Sequence, residues 1–208
     1  MITELSGNRD NLRIDGKRLW GSLMEMAKIG ATQRGGCNRQ ALTREDQRGR
    51  DLFVSWCQSA GCSVSVDQMG NIFARRAGRD NDLPPVITGS HLDTQPTGGK
   101  FDGVYGVLAG LEVIRTLNDN NVLTKAPLEV VVWTNEEGAR FAPAMVGSGV
   151  WSGAMVQQQV YAAKDKAGNS FGEELERIGY KGTLPARAKP VAAAFEAHIE
   201  QGPILEAE

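Results

Sequence analysis

The sequence has 208 residues, which at about 150 residues per domain corresponds to one domain and a fraction. Its 23 lysines and arginines against 25 aspartates and glutamates give a formal net charge of −2, so it lacks the basic excess that serves binding to nucleic acid or anionic lipid. No apolar run approaches the ~20 residues needed to span a bilayer. The three cysteines include no Cys-x-x-Cys pair and are typical of reduced thiols, so we expect a cytoplasmic protein that binds neither nucleic acid nor membranes.

The first sixty residues predict two helices. Asp15 is placed to cap the first helix, which ends before Gly35. Thr43 and Asp46 resemble a capping box, with a shorter acid than usual, at the start of the second helix, which ends at Gly61. The apolar residues recur at helical spacing, which predicts one buried face on each helix. The residues expected there are Leu19, Trp20, Leu23, Met26 and Ala27 in the first helix, and Leu52, Phe53 and Trp56 in the second.

The centre of the chain predicts a hairpin followed by a βαβ unit. Alternating runs at 62–66 and 71–75 predict two antiparallel strands joined by a short turn. An apolar run from Val86 and the β-branched run at 128–133 predict buried strands on either side of a helix at about 104–117. The sequence therefore predicts an α/β fold in which helices flank a mixed sheet.

The last third of the chain predicts shorter elements. The glycines at 147–153 predict a tight loop, and Ser170 with Glu173 predicts a capping box at the start of a short helix. Residues 191–199 predict a final strand. Arg140 is placed either to reach a cleft or to pair with an acid, and the sequence leaves both alternatives open.

Three of the predicted strands are followed by, or end in, histidine and acidic residues. His91 and Asp93 follow the first strand of the βαβ unit, and the pair Glu136–Glu137 follows its second strand. His198 lies near the end of the final strand. Sites in open α/β sheets form outside the carboxyl ends of strands, and imidazole with carboxylate suits zinc and related ions. Each group alone is more often a hydrogen-bonded core histidine or a solvated acid, but their shared position predicts a metal site.

The spacing of these groups predicts how they divide the chemistry. Residues two apart in an extended segment point to the same side, so Asp93 is expected to accept a hydrogen bond from the His91 N–H that faces away from the metal. The side chains of Glu136 and Glu137 are consecutive and are expected to diverge, one as a ligand and the other as a general base. The glycines around Asp102 would let the backbone pass close to an ion.

Four motifs contain these residues, and they are Gly-Ser-His91-Leu-Asp93-Thr, Gly-Gly-Lys-Phe-Asp102-Gly, Asn-Glu136-Glu137-Gly-Ala-Arg-Phe and His198-Ile-Glu-Gln201-Gly-Pro. In this order they resemble the M20-like, co-catalytic metallopeptidase-type amidohydrolases, and among them the N-carbamoyl-L-amino acid hydrolase and β-ureidopropionase group. The resemblance extends from about Arg18 to the end of the sequence. It implies the phosphorylase/hydrolase-like fold of zinc exopeptidases, with residues 1–208 as the N-terminal part of an incomplete catalytic domain.

The resemblance implies a centre of two divalent ions, zinc by default, with manganese, cobalt or nickel as alternatives. It assigns His91 and His198 to the first ion and Glu137 to the second. Asp102 would bridge the two ions. Glu136 would be the general base.

The implied reaction is hydrolysis of the ureido C–N bond of an N-carbamoyl-L-amino acid, or of N-carbamoyl-β-alanine, to the amino acid, carbon dioxide and ammonia. Asp93 would orient His91, and Gln201 would contact the substrate. Allantoate amidohydrolase, which shares the fold and the metal pattern, is one alternative. A non-catalytic, truncated metal-binding fragment is the other.

Members of this family also have a lid and dimerisation domain, after which the chain returns to the catalytic domain and supplies a last histidine to the second ion. Both parts would lie beyond Glu208, and this chain has only two histidines. We therefore expect one complete metal site and little turnover from the 208 residues alone. The family's homodimer would form through the domain that is absent here.

Overall fold

A five-stranded mixed sheet organises residues 12–208, the part of the chain that the computed structural model describes. The strands are β1 Ser63–Val66, β2 Ile72–Arg76, β3 Val86–His91, β4 Leu128–Trp133 and β5 Ala193–Phe195. They lie in the order β1-β2-β4-β3-β5. The first two junctions of this order, β1 with β2 and β2 with β4, are antiparallel, whereas β3 runs parallel to both β4 and β5. The predicted hairpin and the predicted βαβ unit are both confirmed.

The helices are α1 Gly16–Met26, α2 Arg44–Ser59, α3 Val104–Asp119, α4 Val146–Ser152, α5 Gln157–Ala162, α6 Phe171–Arg177 and α7 Ile204–Ala207. The Asp15 carboxylate accepts hydrogen bonds from the first-turn N–H groups of α1, as predicted. Ser170 and Glu173 form the predicted capping box of α6. At α2 only half of the box is present, because Thr43 accepts from the N–H of Asp46, while the Asp46 carboxylate accepts from Leu42 N–H and Arg50 Nε.

The main core lies where α3 packs against β3 and β4, with α1 packed on α3 and α2 on β1. Apolar residues of α3 face this core at helical spacing, since Val107, Leu111 and Ile114 are fully buried there. A second cluster under α4–α6 contains Phe141 and Phe171. The packing of α3 against β3 and β4 matters for the site because it fixes both strands of the βαβ unit, and the site is built on the loops that follow these strands.

Three sequence predictions are wrong in detail. Trp20 is 56% exposed, and its ring is tilted against that of Phe101 with the centroids 5.6 Å apart. It lies one residue off the buried stripe of α1, and consecutive helical residues point about 100° apart. Residues 147–153 belong mainly to α4, whose start is fixed by tertiary hydrogen bonds from Gly147 N–H to the Thr134 carbonyl and from Asn71 Nδ2 to the Gly147 carbonyl. The final strand is limited to the three residues that pair with β3.

Cys37, Cys57 and Cys62 are buried free thiols, and burial raises the pKa of Cys57 and of Cys62. Among the helices described between residues 12 and 208, none is long and apolar enough to cross a membrane.

Candidate metal centre

Three predicted ligands meet at the carboxyl end of β3. His91 is the last residue of that strand, Asp102 lies just before α3, and His198 follows β5. One ligand atom from each of the three lies within 4.8 Å of the others. His198 Nε2 is 3.2 Å from Asp102 Oδ1, and His91 Nε2 is 3.9 Å from the same oxygen. The arrangement brings two imidazole nitrogens and one carboxylate oxygen to a single point.

The two oxygens of the Asp102 carboxylate have different surroundings. Its Oδ1 is buried between the imidazoles and has no hydrogen-bond partner among residues 12–208. Its Oδ2 accepts a hydrogen bond of 2.5 Å from Gln201 Nε2. A buried carboxylate oxygen without a donor is costly, and a cation bound beside it would remove that cost. The donor set of two imidazoles and one carboxylate fits zinc or a related divalent ion.

Gly103 gives His91 the space it occupies. Gly103 has φ +65°, and a Cβ built on it would lie 2.4 Å from His91 Nε2. Only glycine accepts this backbone conformation without strain and leaves the imidazole where it is. The glycine that the motif places after Asp102 therefore has a direct steric role in the site.

Asp93 orients His91 through its backbone rather than through its carboxylate, which corrects the sequence prediction. His91 Nδ1 lies 2.8 Å from the Asp93 carbonyl oxygen. A carbonyl only accepts, so Nδ1 carries the proton and the Nε2 lone pair is directed at the ligand cluster. The Asp93 carboxylate instead accepts the backbone N–H groups of Glu136 and Glu137, at 3.2 and 3.3 Å. The two-residue alternation fails because β3 ends at His91.

Glu136 and Glu137 diverge as predicted. Glu136 is partly buried and its Oε2 lies 3.4 Å from His91 Nε2. Glu137 Oε2 accepts a 2.6 Å hydrogen bond from Gln95 Nε2, while its Oε1 is buried and finds no partner within the described residues. Glu137 is not among the three residues whose ligand atoms cluster within 4.8 Å, so its role at a second ion stays a prediction.

Residues 87–208 match the model of "Peptidase family M20/M25/M40", and this segment contains every proposed ligand. The chain belongs to this family.

The curated relatives of this M20 chain include an N-carbamoyl-L-amino-acid amidohydrolase from Rhizobium meliloti, 60% identical over 96% of the chain and 48% of the relative. An allantoate amidohydrolase from Bacillus subtilis is 34% identical over 87% of the chain and 44% of the relative. A crystal structure of a hydantoinase/carbamoylase family amidase from Burkholderia multivorans superposes with a TM-score of 0.93 at 63% identity, covering 94% of this chain and 48% of that one. The chain spans about half the length of the relatives it matches.

These comparisons confirm the resemblance and the fold class. The structural match with the Burkholderia multivorans amidase covers nearly all of the chain, so the sheet and helices of the M20 chain are those of the corresponding half of that protein.

The surroundings of Glu136 in this M20 site raise the proton affinity of its carboxylate, as suits a general base. Partial burial raises the pKa of Glu136, with the nearby His91 opposing the shift. For His91, burial lowers the pKa, but the carboxylates of Asp93 and Glu136 outweigh it and the net pKa is raised. Burial likewise raises the pKa of Asp93, with His91 opposing. Perturbed groups gathered in one cluster are typical of functional sites.

Sequence reasoning missed Arg39, which supports the ligand loop from beneath. This fully buried guanidinium donates from Nε to the Leu92 carbonyl at 2.8 Å and from Nη1 to the Ile29 carbonyl at 2.8 Å. No local pattern marks an arginine as buried, so the sequence carried no signal for it. Arg140, whose role the sequence left open, pairs with Asp165 and Glu174.

Proposed function

We propose that this chain provides part of the active site of a hydrolase that cleaves the ureido C–N bond of N-carbamoyl-L-amino acids. The products would be the amino acid, carbon dioxide and ammonia, and N-carbamoyl-β-alanine is a related substrate of the same chemistry. The observation that carries this proposal is the buried Asp102 Oδ1 between two imidazoles, which has no hydrogen-bond partner in the described part of the chain. Membership of the M20 family and the 60% identity to an N-carbamoyl-L-amino-acid amidohydrolase support it.

His91, His198 and Asp102 would hold one divalent ion, which we take to be zinc, with manganese, cobalt and nickel as alternatives that the same donors accept. Glu137 would bind a second ion, with Asp102 shared between them. Such ions activate water at neutral pH and stabilise the negative charge that develops on the attacked carbonyl oxygen.

The chain's own residues would supply the proton transfer and the positioning. Glu136 would accept a proton from the attacking water, a task suited to its raised pKa, and would pass the proton to the departing nitrogen. The Asp93 carbonyl keeps the proton of His91 on Nδ1 and so fixes the ring orientation. The amide of Gln201 lies against Asp102, which supports its proposed contact with substrate bound beside the ligands.

The N-carbamoyl-L-amino acid substrate class is preferred over allantoate because sequence identity to the respective relatives is 60% against 34%. The cytoplasmic location is proposed on the three buried free thiols. The other half of the relatives, which these 208 residues do not match, is proposed to supply the lid, the dimer interface and the last ligand of a second ion.

The test is a metal titration of the purified 208-residue chain, followed by an activity assay. We expect one zinc ion per chain by calorimetry and elemental analysis, and no tight binding after Asp102→Asn. Ammonia release is then compared on N-carbamoyl-L-amino acids, N-carbamoyl-β-alanine and allantoate, with little turnover expected from these residues alone. Failure to bind zinc would refute the site, preference for allantoate would refute the substrate class, and rapid turnover would refute the division of the site between two halves.

A further inference from the structure

The segment that carries His198 has few anchors of its own. β5 pairs with β3 over only three residues, and Phe195 and the residues from Glu196 to Glu208 are exposed. His198 nevertheless places Nε2 3.2 Å from the Asp102 oxygen. Something other than hydrophobic burial must therefore hold this histidine in position.

A hydrogen bond between Ser90 and Glu196 joins the two histidine-bearing segments. Ser90 is the residue before His91 and is fully buried in β3, whereas Glu196 is two residues before His198. Ser90 Oγ donates to Glu196 Oε1 at 2.5 Å. Next to this contact, the Ala197 carbonyl packs against Gly106 of α3, where an added Cβ would lie 2.5 Å from that oxygen.

We propose that Ser90 and Glu196 are positioning residues for the metal centre, acting through a hydrogen bond that holds His198 opposite His91. Neither residue is among the clustered ligand atoms of the described chain. The Ser90 hydroxyl is fully buried and hydrogen bonds are directional, so this contact anchors the exposed segment in one orientation. The inference rests on the proposed metal site.

The experiment measures the zinc affinity of the 208-residue chain by calorimetry and the visible absorption of the cobalt-loaded chain. Ser90→Ala and Glu196→Ala are each expected to weaken zinc binding by roughly tenfold, the scale seen when groups that orient ligands are removed. The double variant is expected to lose no more than either single one, because both remove the same contact. Glu196→Gln is expected to restore most of the affinity, since its amide oxygen still accepts from Ser90.

Glu200→Ala is the matched control, because Glu200 is an exposed acid two residues after His198 and, of the groups in residues 12–208, accepts only from Leu205 N–H. It is expected to leave the affinity and the cobalt spectrum unchanged. The inference would be overturned by equal losses of zinc affinity in Glu196→Ala and Glu200→Ala, or by a Glu196→Gln loss as large as that of Glu196→Ala. It would also be overturned if the fold-loss of the double variant equalled the product of the two single losses. Each of these results would indicate a general charge effect. Absence of zinc binding by the unsubstituted chain would instead refute the proposed function. Circular dichroism on every variant checks the fold, and Glu196 is exposed, so its substitution leaves the core intact.

Discussion

Substitution of Gly103 by alanine tests the geometry of the metal centre most directly. The new Cβ would lie 2.4–2.5 Å from three atoms of the His91 ring. Carbon contacts are most favourable at about 3.5–4.0 Å, so the ring must retreat by about 1 Å. Metal–ligand distances tolerate about 0.2 Å, and the displacement is therefore several times too large for binding. We expect zinc affinity to fall by roughly 100-fold.

The matched control is Gly61→Ala, because Gly61 has φ +79° but, apart from its chain neighbours, no atom of the described residues lies within 4 Å of the added Cβ. Both substitutions place alanine in the left-handed region, which is expected to lower the free energy of unfolding of the metal-free chain by about 1–2 kcal/mol, measured in urea. Gly103→Ala is expected to lose more than Gly61→Ala, because its Cβ also displaces the buried His91 ring. Only Gly103→Ala is expected to weaken zinc binding in calorimetry. Zinc affinity of Gly103→Ala equal to that of Gly61→Ala would show that His91 is not held against Gly103.

Three further predictions concern stability. Arg39→Met removes the donor to three buried carbonyls, those of Met26, Ile29 and Leu92, and is expected to lower the free energy of unfolding by roughly 2–4 kcal/mol in urea. A loss near zero would show that these carbonyls find other donors. The hydrogen bond from Arg177 is the main reason why the pKa of Glu174 is lowered in the folded state. The ionised Glu174 therefore stabilises the fold above about pH 4.3, and this contribution is lost as the pH falls through the lower folded-state pKa. Glu174→Gln should therefore flatten the fall in urea stability between pH 5 and pH 3, and an unchanged slope would contradict this. Zinc at 100 times its dissociation constant should raise the free energy of unfolding by about 2.7 kcal/mol, and His198→Ala should abolish that increase.

The fold was largely predictable because its main signals are local. Asp15 and Ser170 cap their helices with their own side chains, and the β-branched run at 128–133 favours a strand whatever surrounds it. Trp20 shows the limit of this reasoning. Helical spacing identifies an apolar face, but the width of the buried stripe depends on how close α3 lies to α1, and that is a tertiary property.

The site shows the same division between residue identity and geometry. The positions of His91, Asp102 and His198 at strand and helix ends predicted that they lie close together, and the structure places their ligand atoms in one cluster. The contact made by Asp93 was mispredicted because it depends on where β3 stops. The Ser90–Glu196 hydrogen bond had no sequence signal, since it joins residues about a hundred positions apart through sheet pairing.

The distance along the chain between His91 and His198 has a kinetic consequence. Their segments are separated by about a hundred residues, and β5 adds only three residue pairs to the sheet. Closing such a long loop is entropically costly until the β3–β4 pairing exists, so we expect the histidine cluster to assemble late in folding. A bound ion would then stabilise contacts that are absent from the folding transition state. It would slow unfolding while leaving the folding rate almost unchanged, because the ion would bind only after the rest of the fold has formed.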